Sequence, residues 1–193
     1  MKTKYLIIGR TASGKSTVAK RMCELLGIKQ IVSFTTRPPR CGEIENGDHF
    51  FISNEEADRI LENEEIAAYT EIGGNRYFTT KKTLDERDVY VIDPAGVHYL
   101  NEKYGKEYDL CMIYVSASKE TRKKRYMERE GASEDAFWKR ENAETAQFDS
   151  FEKTYDGLYI DNDAVSSNKE LSDTIIKLVN VYREFSAHMW RPE

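Results

Sequence analysis

An α/β fold with a parallel sheet is predicted from three observations: apolar runs of strand length recur along the chain, stretches of helical periodicity follow them, and a glycine-rich turn bearing a lysine joins the first run to the first helix. The 193 residues suffice to bury a sizeable core, and the length favours one domain with inserted subdomains.

Residues 5–8, YLII, are the first run, closed by Gly9 as expected of a strand buried on both faces. Val18, Met22, Leu25 and Leu26 then recur at helical spacing up to Gly27, a helix stop. Buried-strand runs at 89–92 and 110–115 precede helices predicted around 94–104 and 118–130, so the sheet is wound with right-handed crossovers. Near the C-terminal end Leu171, Ile175, Leu178, Tyr182 and Phe185 share one helical stripe, expected in the core.

Two segments interrupt this rhythm. Residues 33 to about 80 hold short strands at 49–52, 66–72 and 76–79 around a helix at about 54–62, a small mixed lobe. Residues 122–145 are densely charged and read as helix, break and helix, with Gly131, Ala132 and Ser133 at the break. No internal repeat or low-complexity linker is visible.

The balance of 29 basic against 34 acidic residues, a net charge of -5, excludes a nucleic-acid binder relying on a broad positive surface. An anionic ligand needs a local basic pocket. Cys23, Cys41 and Cys111 form no CxxC pair and no zinc-like cluster, which suits reduced packing thiols in a cytoplasmic protein. The opening MKTKYLIIGR is too short an apolar run for a signal peptide or a span, so no membrane partner is expected.

Gly9-Arg10-Thr11-Ala12-Ser13-Gly14-Lys15-Ser16 fits G-x-x-x-x-G-K-[ST]. In that pattern backbone N–H groups cradle phosphates, the lysine reaches the outer phosphates and the hydroxyl meets magnesium. Glycine permits close backbone approach, and the helix opening near Lys15 aims its positive end at the anion. A glycine turn with a surface lysine would be the bland alternative, but a buried-strand pattern before the motif and an amphipathic helix after it supply the required context. The expectation is a three-layer P-loop NTPase core binding ATP and Mg2+ through Gly9, Thr11, Ala12, Ser13, Gly14, Lys15, Ser16 and Thr17, with Ser16 as metal ligand.

In SFTTRPPR, residues 33–40, two arginines sit three apart with two prolines between them that limit backbone freedom, and rigid guanidinium forks suit a phosphate monoester. Either arginine alone would read as a solvated loop residue. Together with Glu43, GDHFF at 47–51, GGNRYFTT at 73–80, VIDPAG at 91–96 and YIDND at 159–163, the segment resembles the guanylate kinase family along almost the whole chain.

That resemblance implies a single domain with core 1–32, 81–121 and 146–193, an inserted nucleoside-monophosphate lobe at 33–80 and a helical lid at 122–145. It implies that Ser33 touches the nucleobase, that Arg37, Arg40 and Tyr77 grip the acceptor monophosphate, and that Thr79 and Asp93 contact the base. Asp93 followed by Pro94 is equally an N-cap and N1 pair, and the two roles are compatible. Arg125, Arg129 and Arg140 match lid arginines that close over the transferred group and exclude water, making Lys15, Arg37 and these three the catalytic candidates. Asn162 falls on the adenine side, or serves as a turn residue.

The match departs from the family at four points. The guanine-reading glutamate falls on Ala68, and Glu71, three residues on in an extended strand, faces the other way unless a bulge intervenes. His49 stands where a phosphate-gripping tyrosine is usual and can still donate, Phe78 replaces a glycine, and Val91 sits where an acid near magnesium is common. The function implied is phosphoryl transfer from ATP to GMP or dGMP in purine nucleotide metabolism, by a monomer or homodimer. The alternatives are the same transfer to another nucleotide or phosphorylated acceptor, or a non-catalytic binding module.

Overall fold

The computed structural model describes residues 1–39, 43, 47, 49–129 and 132–189, with only the backbone of 187–189. Arg40 and Cys41 lie outside the described residues. The chain opens with β1 (Lys2–Ile8), α1 (Lys15–Leu26), β2 (Ser33–Thr35), β3 (His49–Phe51) and α2 (Asn54–Asn63). It continues with β4 (Ile66–Ile72), β5 (Asn75–Thr80), α3 (Lys81–Glu86), β6 (Val89–Val91), α4 (Pro94–Tyr104) and β7 (Tyr108–Ser116). It closes with α5 (Lys119–Met127), α6 (Glu134–Thr154), β8 (Leu158–Asp161) and α7 (Asn168–Met189).

One sheet runs β6-β1-β7-β8, every neighbouring pair parallel. Successive side chains of a strand face opposite ways, and β1 uses both faces. Leu6 and Ile8 pack with Val97, Leu100 and Tyr104 of α4 and Phe148 of α6, whereas Tyr5 and Ile7 pack with Val18, Ala19 and Met22 of α1 and Ile175 and Val179 of α7. This sandwich is the three-layer core expected of a P-loop NTPase. Gly27 ends α1 in the left-handed conformation, donating its N–H to the Cys23 carbonyl.

The second sheet runs β3-β2-β5-β4. Phe34, Tyr69 and Phe78 stack on one another on the α2 side, over Ala57, Ile60 and Leu61. Phe78 therefore fills the lobe's own core. The opposite strand parity, Ser33 and Thr35 on β2, His49 on β3, Ala68 and Thr70 on β4, and Tyr77 and Thr79 on β5, faces the other way.

One sequence expectation changes. Phe185, placed in the core with the α7 stripe, is 71% exposed; Leu171 and Ile175 are buried, and periodicity continues past the layer that covers it. The lid boundary drawn at 145 falls inside the continuous helix α6. No helix among the described residues is long and apolar enough to cross a membrane.

Candidate active site

A cavity of about 420 Å³ is lined from both sheets. At one end the loop between β1 and α1 contributes Gly9, Thr11, Ala12 and Gly14, followed by Lys15, Ser16 and Thr17. Two glycines are enforced by close approach: a Cβ on Gly9 would lie 2.3 Å from the Val115 carbonyl, and one on Gly14, at φ 99°, would lie 2.1 Å from the Asn162 amide nitrogen. Ala12 holds a left-handed φ of 62°, a costly conformation for an alanine. No side chain caps α1 and its first turn carries no acid, so its leading N–H groups are left for an anion.

Lys15 Nζ donates to the Arg10 carbonyl at 2.8 Å, folded across the loop. Burial, then the charges of Arg140, Arg129 and Arg122, lower its pKa to about 8 against the pull of Glu144. Ser13 does not line this cavity; its carbonyl accepts from Asn162 Nδ2 at 2.6 Å and from Arg125 Nη1 at 3.4 Å. Asn162 and Arg125 thus brace the loop, while Arg125, Arg129 and Arg140 all reach the cavity wall.

The lobe forms the other end. Ser33, Arg37, His49 and Tyr77 line it, with Ala68 and Thr70 beside them. Ser33 Oγ and His49 Nδ1 share a hydrogen bond of 2.9 Å, and the His49 ring meets Tyr77 edge-on at 6.0 Å. The Arg37 guanidinium is bidentate to Glu43, at 2.8 and 2.9 Å. Thr79 pairs with Ala68 across the ladder, is fully buried, does not line the cavity, and its Oγ1 has no hydrogen-bond partner among the described residues.

Asp93 caps a helix and also lines the cavity. Its Oδ1 accepts the Gly96 N–H at 2.7 Å, capping α4, while its Oδ2 is buried at the cavity, near Thr70 and Gln147 but without a well-aligned hydrogen bond among the described residues. Burial raises its pKa, outweighing Gly96, Thr70 and Gln147. The β4 irregularity falls between Ile66 and Ala68, upstream of the point where it could turn Glu71 inward. Glu71 is exposed and accepts from the Tyr69 hydroxyl on the α2 side.

Sequence reasoning missed the acids of α6. Arg10 donates from Nε to Glu152 at 2.8 Å and from Nη2 to Asp149 at 2.5 Å, over the Phe148 ring. Arg122 and Glu141 form a buried bidentate pair at 2.6 and 2.8 Å. Thr11 donates its N–H and hydroxyl to Glu144 at 2.9 and 2.6 Å. The available signal was the 141, 144, 152 spacing on one face of α6, which in a charged stretch reads as a solvated surface.

The chain from residue 1 to 178 matches the guanylate kinase family model. It is 33% identical over 177 residues to a guanylate kinase of Fusobacterium nucleatum, covering 89% of this chain and 94% of the relative. It is 28% identical to one of Geobacter sulfurreducens, over 89% of this chain and 87% of that protein. The crystal structure of guanylate kinase from Anaplasma phagocytophilum superimposes with a TM-score of 0.68 at 26% identity, covering 95% of this chain and 85% of that one.

Proposed function

The chain belongs to the guanylate kinase family, and from that premise we propose that it transfers the γ-phosphoryl group of ATP to the monophosphate of GMP or dGMP. An acceptor phosphate oxygen attacks the γ phosphorus in line as ADP leaves, with no covalent enzyme intermediate. The observation that carries this reading is the single cavity walled by the phosphate loop at one end, Ser33, Tyr77 and Asp93 at the other, and Arg125, Arg129 and Arg140 alongside.

Lys15 and the loop amides orient the donor, and the three arginines neutralise charge spreading over the transferred group. Arg37, now paired with Glu43, exchanges that carboxylate for the acceptor phosphate, aided by Tyr77, His49 and Arg40. Ser33 and Asp93 read the base, Thr79 being walled off from the cavity by its burial beside Ala68, and Asn162 holds the loop on the adenine side.

The described residues hold no cluster of three His, Cys, Asp or Glu suited to a metal, and Val91 lines the cavity where an acid could have stood. Magnesium fits here as an ion carried by nucleotide phosphates, with the exposed Ser16 hydroxyl as protein ligand. When bound, it supplies charge neutralisation between the outer phosphates. Free Cys23 and Cys111 support a reducing, cytoplasmic setting.

A second reading keeps the chemistry and changes the acceptor, favoured by the Ala68 methyl at the cavity and by Glu71 facing away from it. A complete phosphate loop argues against a binding module. Lys15→Met tests the assignment: turnover is lost with thermal stability retained, and a variant turning over at the parental rate refutes it.

A further inference from the structure

Glu144 is only 5% exposed, on the face of α6 that it shares with the buried Phe137, Glu141 and Phe148. Its Oε1 accepts from the Thr11 hydroxyl at 2.6 Å and from Arg140 Nε at 2.6 Å, and its Oε2 accepts the Thr11 N–H at 2.9 Å. Arg140 Nε also reaches Thr11 Oγ1 at 3.2 Å, which closes a triangle between α6 and the phosphate loop. Helix propensity does not account for the pair, because a basic residue four positions before an acidic one is the weaker order for stabilising a helix. The contact with Thr11, 133 residues away, is what buries it.

The hydrogen bonds Arg140 makes among the described residues use Nε alone. A guanidinium held by that edge presents its two terminal nitrogens as a fork, and both Arg140 and Glu144 line the cavity beside Lys15. Arg140, Arg129 and Lys15 leave the site positive even with the Glu144 charge counted.

We propose that Glu144 is a positioning residue for phosphoryl transfer: it grips Arg140 by Nε and Thr11 by its N–H, fixing the arginine's free edge toward the outer phosphates of the bound nucleotide. The inference rests on the donor half of the functional reading and does not depend on the acceptor. In the absence of Glu144 the arginine keeps its charge but loses its aim, and the Thr11 N–H loses its partner.

The test is a double-mutant cycle in ATP affinity, measured by calorimetry on the full chain: parent, Glu144→Gln, Arg140→Ala and the pair. Expected is a loss of about tenfold for Glu144→Gln in the parent and less than about twofold in the Arg140→Ala background. The Arg140 Nε–H resonance, slowly exchanging in the parent, broadens or vanishes in Glu144→Gln, a change that a general loss of stability does not produce. Equal losses in both backgrounds, or a persistent Nε–H signal, overturn the proposal. Tighter ATP binding by Glu144→Gln also overturns it, since the carboxylate would then be an occluding anion. Parental ATP binding without GMP turnover counts against the acceptor reading and leaves the cycle as a valid test. Glu144→Asp, which keeps the charge, restores at least part of the affinity if Glu144→Gln proves poorly folded, and a failure to restore it in folded protein contradicts the proposal.

Discussion

Asn162 Nδ2 donates to the Ser13 carbonyl at 2.6 Å, and the same amide stands 2.1 Å from where a Cβ on Gly14 would lie. One side chain thus holds the phosphate loop closed and forbids any larger residue at its second glycine. Gly14→Ala must move Asn162 and also adopt φ 99°, so it costs about 1–3 kcal/mol of stability and abolishes ATP binding. Asn162→Ala removes the brace alone and weakens ATP without abolishing it. Denaturant melts and ATP titrations of the two variants check the order.

The pKa of Lys15, lowered to about 8 by burial and by the arginines around it, sets a pH limb for donor binding. Below pH 8 the ammonium is charged and meets the phosphates; above it the free protein must first take up a proton. ATP affinity therefore declines above pH 8 with a slope approaching about tenfold per unit, and binding near pH 8.5 takes up protons. Calorimetry in buffers of different ionisation enthalpy reads the uptake. Lys15→Met shows neither effect.

Asp93 Oδ1 caps α4, and the base contact proposed for this side chain falls to Oδ2. Asp93→Asn keeps an oxygen to accept the Gly96 N–H, so stability changes by less than about 1 kcal/mol. It puts an amide NH2, a donor, where the buried Oδ2 stood, so kcat/KM for the acceptor falls about ten- to a hundredfold while ATP affinity holds. Initial rates over a range of GMP concentrations, with a thermal melt, separate the two.

The Arg122–Glu141 pair is buried on both sides and joins α5 to α6. Glu141→Gln leaves a buried arginine uncompensated and costs about 3–5 kcal/mol, whereas replacing both partners by Met and Leu costs far less. Arg122 also holds the Glu141 pKa below its ordinary 4.5. A depressed carboxylate contributes stability that is present above about pH 4.5 and lost as pH falls through the folded value. Urea titrations between pH 3 and 7 show a shallower acid limb in Glu141→Gln.

Strands β1, β6 and β7 and helices α1, α2 and α4 were legible because burial imposes a period and their caps are local. Ser33–Thr35, Lys81–Glu86 and Leu158–Asp161 carry too few consecutive apolar residues to stand out as elements in the sequence. The first of these exists through pairing of Phe34 with Phe50 and Phe78, a long-range fact. The loop Gly9–Ser16 was legible because its chemistry is contiguous, and the lobe because its motifs are. Glu144 on Thr11 and Arg10 on Glu152 join residues more than 130 positions apart, so nothing in either local pattern announces them.

A guanine nucleotide is the acceptor proposed for a cavity where Ala68 offers no hydrogen bond. The most direct test of that proposal is ADP release from MgATP with GMP, dGMP, AMP, CMP, UMP and dTMP in turn, with the phosphorylated product identified by mass. GMP and dGMP are expected to be the best acceptors, each yielding one diphosphate per ADP. Faster turnover with another acceptor, or ADP release without a phosphorylated product, contradicts it.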